Sequence, residues 1–226
     1  MLTLYIGNKN YSSWSMRPAV ILDAFGLEYT ECKLEFDDFS ADGVFKQSIG
    51  KVSAAGKVPV LVDGDTTVWD SLAIAEYLAE TFPEKAMWPL DKTARAHARA
   101  ITAEMHSGFQ ALRSACPMNI EANLTEVGQT LWQDNEALRA DVGYLEKVWD
   151  SLLADGRDFL FGAFSIADAY YAPVVMRLKT YGLPVNERIQ AYMARIIAHP
   201  AVEKWVQAAL KEELYVLIDE PYRSHR

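Results

Sequence analysis

The sequence predicts two structural parts, an α/β domain followed by an all-helical domain. In the first 82 residues, short β-prone runs alternate with segments of helical periodicity and give the order β-α-β-α-β-β-α. A stretch with two prolines follows, and beyond it the apolar residues recur at helical spacing. These observations predict an α/β domain at 1–82, a linker at 83–91 and an all-helical domain at 92–226.

The α/β domain is expected to contain a parallel strand pair, because a strand–helix–strand unit makes a crossover connection. Asp63-Gly64 between two later β-prone runs is a hairpin signal. The predicted elements are, in chain order, a strand at 2–6, a helix at 13–25, a strand at 28–36, a loop with one short helix at 37–53, two strands around Asp63-Gly64, and a helix at 71–82.

The second domain reads as helix throughout, with polar and proline-containing gaps between the periodic segments. The predicted helices lie at 93–115, 124–153, 165–181, 186–198 and 200–214. The tail at 219–226 is polar, contains a proline, and is expected to be a strap on the surface.

The composition narrows the function classes. A net charge of −9 argues against nucleic acid or an acidic membrane surface as the main partner. Two cysteines without a CxxC pair and four histidines without ligand spacing predict no metal site. No apolar stretch of 18 residues and no secretory signal occur. We therefore expect a soluble, cytoplasmic protein.

The segment from Ala55 to Asp65 contains an apolar run that begins at a proline, Pro59. A sheet tolerates proline only at an edge or at a strand's first residue, because proline has no amide hydrogen. A cis Val58-Pro59 bond is one way to build such a start. Only about 5–6% of X-Pro bonds in folded proteins are cis, so this feature alone favours trans.

Three motifs together resemble the cytosolic glutathione S-transferases. They are Lys57-Val58-Pro59-Val60-Leu61, Asp70-Ser71 at the next helix start, and Ser165-Ile166-Ala167-Asp168. The resemblance covers nearly the whole chain and implies a thioredoxin-like first domain, a cis Val58-Pro59 bond and a capping box at Ser165. The loop from Tyr11 to Arg17 is similar to the Ser-Ser-Cys-Ser-x-Arg signature of the zeta class, which includes maleylacetoacetate isomerases. Trp14 departs from it, because that class has cysteine there.

Conjugation of glutathione needs a thiolate, and a free thiol of pKa near 8.5 is only slightly ionised at neutral pH. A hydroxyl donor and a helix N-terminus would both stabilise the anion. The resemblance to the zeta class implies Ser12 as the catalytic hydroxyl, with Ser13 second. Tyr11 is a third candidate, because tyrosine has this role in other classes of the family that the chain resembles. The alternative is that these serines only cap the helix.

Glutathione itself is peptide-like, and the resemblance implies where it docks. Val58, before Pro59, would bind the cysteinyl backbone. Asp70 would pair with the γ-glutamyl ammonium group, and Ser71 would bind the γ-glutamyl carboxylate. Lys46, Lys51 and Lys57 are the nearby cations for the glycyl carboxylate, and Lys57 is our choice. The alternatives are a core valine, plain helix capping and a solvated lysine.

The leading expectation is an enzyme that conjugates reduced glutathione to a small hydrophobic electrophile, as in detoxification. Glutathione-dependent cis-trans isomerisation of a small dicarboxylate and a non-catalytic ligand-binding role are the alternatives. The resemblance also implies a homodimer. The electrophile is expected between the domains, near the shared face of Met105, His106, Phe109 and Arg113, although core or dimer packing explains that face as well.

Overall fold

The N-terminal part is built on a four-stranded mixed sheet. The computed structural model of the protein describes residues 1–37 and 39–226. Its strands run in the order β2-β1-β3-β4, with β1 parallel to β2 and the other pairs antiparallel. The elements are β1 (Leu2–Ile6), α1 (Ser13–Ala24), β2 (Tyr29–Lys33), α2 (Val44–Gly50), β3 (Val60–Asp63), β4 (Thr66–Trp69) and α3 (Ser71–Thr81). The predicted order, parallel pair and hairpin are confirmed.

The rest of the chain is helical, as predicted. Its helices are α4 (Lys92–Ser107), α5 (Gln110–Ala115), α6 (Thr125–Asp134), α7 (Glu136–Leu153), α8 (Ile166–Thr180), α9 (Glu187–Ala198) and α10 (Pro200–Leu210). Within the described residues, none of these helices is long and apolar enough to cross a membrane. The domain boundaries at residues 82 and 91 stay a prediction.

Two predicted long helices are each broken in two. The expected helix at 93–115 stops at Gly108, and Phe109 then takes a left-handed conformation with φ +55° before α5 begins. The expected helix at 124–153 breaks at Asn135, whose side chain accepts a hydrogen bond from the amide of Leu138 and so caps α7. Both breaks occur at residue types that commonly end or begin helices.

The predicted strand at 28–36 is also shorter than expected. β2 ends at Lys33, and the amide of Phe36 donates instead to Oδ1 of Asn8 at 2.6 Å. The phenyl ring of Phe36 fills the space over Gly7, where an added Cβ would lie 2.1 Å from the ring. Asp38, in the loop predicted at 37–53, lies outside the described residues.

The core joins the two parts through α8. This helix is buried along almost its whole length and packs against α1 and α4. Its start is fixed by the predicted capping box, in which the backbone amide and the hydroxyl of Ser165 both donate to Oδ2 of Asp168. Burial raises the pKa of Asp168 to about 6 although four groups donate to it. Asp168 is thus a structural residue.

Most of the tail at 219–226 lies at the surface, as predicted, but Glu220 does not. Glu220 is only 4% exposed and lies in contact with residues of the first loop and of the helical part. Its carboxylate is buried because Tyr11, Asn119 and Arg223 all donate to it. Glu220 therefore anchors a tail that otherwise stays at the surface.

The close contact between α6 and the end of α8 allows the packing of the helical part to be tested by substitution. A Cβ at Gly128 would lie 1.7 Å from the carbonyl oxygen of Tyr181, so Gly128→Ala must push the two segments apart. We expect a loss of about 1–3 kcal/mol or more in the free energy of unfolding. Gly143→Ala, in the exposed middle of α7 with no atom near the added methyl, should stabilise by up to about 1 kcal/mol. Urea denaturation of both variants measures the difference, and equal stabilities would contradict the packing described here.

Candidate functional site

A cavity of about 600 Å³ lies between the sheet and the helical part. It is lined by Trp14, Ala55, Lys57, Val58, Pro59, Trp69, Asp70, Ser71 and His106. The five residues of the predicted glutathione site, Lys57, Val58, Pro59, Asp70 and Ser71, are all on this wall. The sequence motifs at 57–59 and 70–71 are therefore brought to one place by the sheet, since β3 and β4 run antiparallel between them.

The Val58-Pro59 bond is cis, as the resemblance implied. Val58 precedes the ladder between β3 and β1, and its amide has no hydrogen-bond partner among the described residues. Lys57 is exposed beside it and likewise has no ion-pair partner in that part of the chain. Lys46, another possible cation, donates instead to the carbonyl oxygen of Gly56 at 2.9 Å. The wall therefore offers a backbone amide and a free ammonium group.

Asp70 and Ser71 form the start of α3. Asp70 caps the helix, because its Oδ1 accepts from the amide of Leu72 at 2.8 Å. Ser71 is buried and accepts a hydrogen bond from the hydroxyl of Tyr170 at 3.1 Å. A hydroxyl that accepts still has its own proton to donate, so Ser71 can bind an anion at this helix N-terminus. The capping alternative is correct for Asp70, and it leaves the second carboxylate oxygen for another partner.

That partner is His106, from the helical part. Nε2 of His106 lies 3.1 Å from Oδ2 of Asp70, and its Nδ1 is buried without a partner among the described residues. Burial lowers the pKa of His106, Asp70 raises it, and the guanidinium groups of Arg17 and Arg113 lower it further. The net direction is downward, so the fold favours neutral imidazole. Half of the Asp70 side chain remains exposed and accessible to a ligand.

Ser12 and Ser13 lie at the start of α1 and are not on the cavity wall. They are only 6% and 7% exposed. Oγ of Ser12 accepts from the amide of Ser15, so Ser12 is the N-cap of α1, and the Ser12 hydroxyl donates to Oγ of Ser15 at 2.7 Å. Oγ of Ser13 accepts from Nη2 of Arg177 at 3.2 Å. The capping reading is therefore correct for Ser12, and the structure leaves its catalytic role open to test.

Tyr11, the third candidate hydroxyl, does not line this cavity either. Its hydroxyl lies 2.7 Å from Oε1 of Glu220 and 3.2 Å from the carbonyl oxygen of Leu214. Burial and the Glu220 carboxylate raise the pKa of Tyr11 to about 12. The phenol proton is thus held by a buried carboxylate.

Two arginine side chains stack on the ring of Trp14, which lines the cavity. The guanidinium carbons of Arg17 and Arg113 lie 4.3 Å and 4.8 Å from the centroid of its ring. Arg17 is only 2% exposed, also stacks on Tyr170, and has Nε and Nη1 without partners among the described residues. Burial lowers the pKa of Arg17 and of Arg177 to about 10. We call Arg17, Arg113 and Arg177 the arginine cluster.

The sequence does not assign three residues of this wall to the glutathione site. It marks Trp14 only as a departure from a signature, places His106 on the face expected near the electrophile, and gives no signal for Trp69. A signal existed for Trp14, because it stands inside the loop that carries the candidate serines. No local pattern marks His106, whose partner Asp70 is 36 positions away and in the other part of the fold.

Comparison with known proteins agrees with this architecture. Residues 2–80 match the family model for the glutathione S-transferase N-terminal domain, and residues 121–208 match that for the C-terminal domain. A protein described as "Probable maleylacetoacetate isomerase" from Caenorhabditis elegans is 30% identical over 87% of this chain and 92% of its own length. Glutathione S-transferase Z1 from Arabidopsis thaliana is 31% identical over 74% of this chain and 75% of its own length.

Among solved structures, a glutathione transferase homolog from Burkholderia gl BGR1 with bound glutathione is 29% identical, with a TM-score of 0.71. The match covers 94% of this chain and 99% of that one. The fold is that of a thioredoxin-like domain joined to a helical domain, with a cleft between them. The chain belongs to the glutathione S-transferase family.

The lowered pKa of His106 gives a prediction for titration by NMR. We expect its imidazole to titrate below the ordinary value of about 6.5. Asp70→Asn should lower the midpoint further, because it removes the carboxylate that favours imidazolium. His106→Gln assigns the resonance, and Asp155→Asn, at an exposed ion pair elsewhere, should leave it unchanged.

The lowered pKa of His106 also makes the free energy of unfolding depend on pH. Because the folded pKa lies below the unfolded one, this group's contribution is present above about pH 6.5 and falls as the pH drops below it. A midpoint above 6.5 in the folded protein would contradict the burial and charge assignment.

Proposed function

We propose that the protein is a glutathione transferase that conjugates reduced glutathione to a small electrophile. The observation that carries this proposal is the convergence of Lys57, Val58, Asp70 and Ser71 on one cavity. Their donors and acceptors complement a tripeptide with charged ends. Family membership and the glutathione-bound structure of the Burkholderia homolog support the same ligand.

The proposed docking places each end of glutathione against an opposite charge. The γ-glutamyl carboxylate receives hydrogen bonds at the N-terminus of α3 from Ser71, and the ammonium group lies near the exposed side of Asp70. The amide of Val58 meets the cysteinyl backbone, and Lys57 meets the glycyl carboxylate. Titration calorimetry tests this step. No heat, and no retention on immobilised glutathione, would favour a protein that binds some other ligand.

The cysteinyl sulfur is proposed to face the start of α1. Ser12 at the N-cap is the first choice of donor, because the N-terminal end of a helix stabilises an anion. Ser13 is the second, since the Arg177 guanidinium at its oxygen strengthens its hydroxyl as a donor. The Ser13 hydroxyl retains a proton that it can give to the thiolate, and the Ser12 hydroxyl can do so by turning away from Oγ of Ser15, to which it donates.

Substitution of the two serines separates these choices. A hydrogen bond to a charged group contributes about 1.5–3 kcal/mol, so losing the true donor should lower kcat/KM by about 10- to 100-fold. We expect that loss in Ser12→Ala with a panel of electrophiles, and a smaller one in Ser13→Ala. Ser151→Ala, on the exposed surface of α7, is the control. Unchanged turnover in both loop variants would remove the serines from the mechanism.

A second candidate is glutathione-dependent cis-trans isomerisation of a small dicarboxylate. The arginine cluster favours it, because a buried guanidinium with unpaired nitrogens is costly until an anion binds it. The relative from Caenorhabditis elegans is described as a probable maleylacetoacetate isomerase. Trp14 in place of the zeta-class cysteine argues against it.

The arginine cluster makes this candidate testable. Arg113 is the more accessible member that stacks on Trp14, and Arg113→Ala should weaken turnover of carboxylate-bearing substrates by about 10- to 100-fold while changing neutral electrophiles much less. Arg99→Ala, which breaks an exposed ion pair with Glu76, is the matched control. Failure of the wild type to isomerise maleylacetoacetate or a close analogue would reject the candidate.

We also propose that the protein acts in the cytoplasm as a homodimer. The reducing compartment agrees with its two free cysteines, Cys32 and Cys116. Analytical ultracentrifugation distinguishes a dimer from a monomer directly.

A further inference from the structure

The loop that carries the candidate serines is tied to the last residues of the chain. We call residues 211–226 the C-terminal strap. The Tyr11 hydroxyl contacts Oε1 of Glu220 at 2.7 Å and the carbonyl oxygen of Leu214 at 3.2 Å, and the amide of Val216 donates to it at 3.4 Å. Both Tyr11 and Glu220 are buried. The side chain of Tyr11, the residue before Ser12, therefore contacts the strap at three points.

The Glu220 carboxylate is itself held in place. Nδ2 of Asn119 donates to Oε1 at 2.9 Å, and Nε of Arg223 donates to Oε2 at 2.8 Å. Nη2 of Arg223 reaches both Glu220 and Glu121. Burial raises the pKa of Glu220, but the hydrogen bonds from Arg223 and Tyr11 outweigh it and hold the pKa below its ordinary value. Glu220 is thus a charged, fixed acceptor at neutral pH.

The hydrogen bonds within the loop connect this acceptor to the serines. The amide of Ser13 donates to the carbonyl oxygen of Tyr11 at 2.9 Å, and the amide of Ser12 donates to that of Asn8 at 2.8 Å. A shift of the Tyr11 backbone would therefore move both hydroxyls. A phenol held at its far end by Glu220 resists that shift.

We propose that Glu220 is a positioning residue for the thiolate of glutathione: by accepting the Tyr11 hydroxyl, it fixes the turn that places Ser12 and Ser13. The inference rests on the function proposed above. It gives the strap a role in activity although the strap does not line the cavity. It also gives Tyr11 a supporting role, since its proton is already donated to a buried carboxylate.

The test uses four variants of the full chain. Glu220→Ala should lower kcat by about 10- to 100-fold, as a misplaced reacting group does, with KM for glutathione changed less than about two-fold. The pH at which bound glutathione shows thiolate absorbance should rise. Glu220→Gln keeps an oxygen acceptor for Tyr11 and should recover most of the activity. Tyr11→Phe should reproduce Glu220→Ala, and the double variant should be no worse than either.

A stability control separates positioning from simple destabilisation. Asn135→Ala removes the cap of α7, remote from the strap, and should lower Tm without moving the thiolate pH profile. If Glu220→Ala lowers Tm but leaves kcat and that profile unchanged, Glu220 is only structural and the proposal is wrong. Loss of the thiolate in Tyr11→Phe but not in Glu220→Ala would make Tyr11 the donor and also overturn it.

Failure of the proposed function gives a different result. A wild type with no glutathione-dependent turnover and no thiolate signal rejects the function, and the positioning is then measured without ligand. Hydrogen exchange at the amides of Ser12 and Ser13 should be faster in Glu220→Ala than in the wild type. Unchanged exchange would reject the positioning role independently of activity.

Discussion

The position of the candidate serines depends on the hydrogen bonds that the buried side chain of Asn10 makes with the helical part. Its Oδ1 accepts from the amides of Ile120 and Glu121, and its Nδ2 donates to Oδ1 of Asn119 at 3.0 Å. Each buried amide left without a partner would cost about 1–3 kcal/mol. Residues of the helical part therefore complete the hydrogen bonds of the loop between β1 and α1. Since Asn119 also donates to Glu220, the strap belongs to the same network.

Much of the fold could be predicted because its signals are local. Asp63-Gly64 marks the hairpin, Gly26 ends α1, and Ser165 with Asp168 starts α8. The two broken helices show the limit of periodicity. Apolar spacing continues across Gly108 and Asn135, and only the conformation of these single residues interrupts the helix. Such a break depends on how the flanking helices pack, which one sequence does not reveal.

In the candidate site, too, residues in short local motifs could be predicted, and residues with distant partners could not. Val58-Pro59 and Asp70-Ser71 are short motifs whose convergence follows from one hairpin, so a family resemblance was enough to place them together. His106 and Glu220 act through partners far away in sequence, and each looks like an ordinary polar residue in its own segment. The polar composition of the tail correctly predicts a surface strap, but it does not mark Glu220, which is buried as the acceptor for Tyr11.

The distribution of charge explains what Trp14 contributes in place of a cysteine. The chain carries a net charge of −9, yet two guanidinium groups lie close to the same indole ring. Stacking on an aromatic face stabilises a desolvated cation by about 2 kcal/mol. This offsets part of the cost of burying Arg17, which forms no ion pair with a carboxylate in the part of the chain that the structure describes. An ion pair would neutralise that charge, whereas stacking leaves it available to an anion. Trp14 thus removes a thiol from the loop and keeps positive charge beside the place proposed for the thiolate.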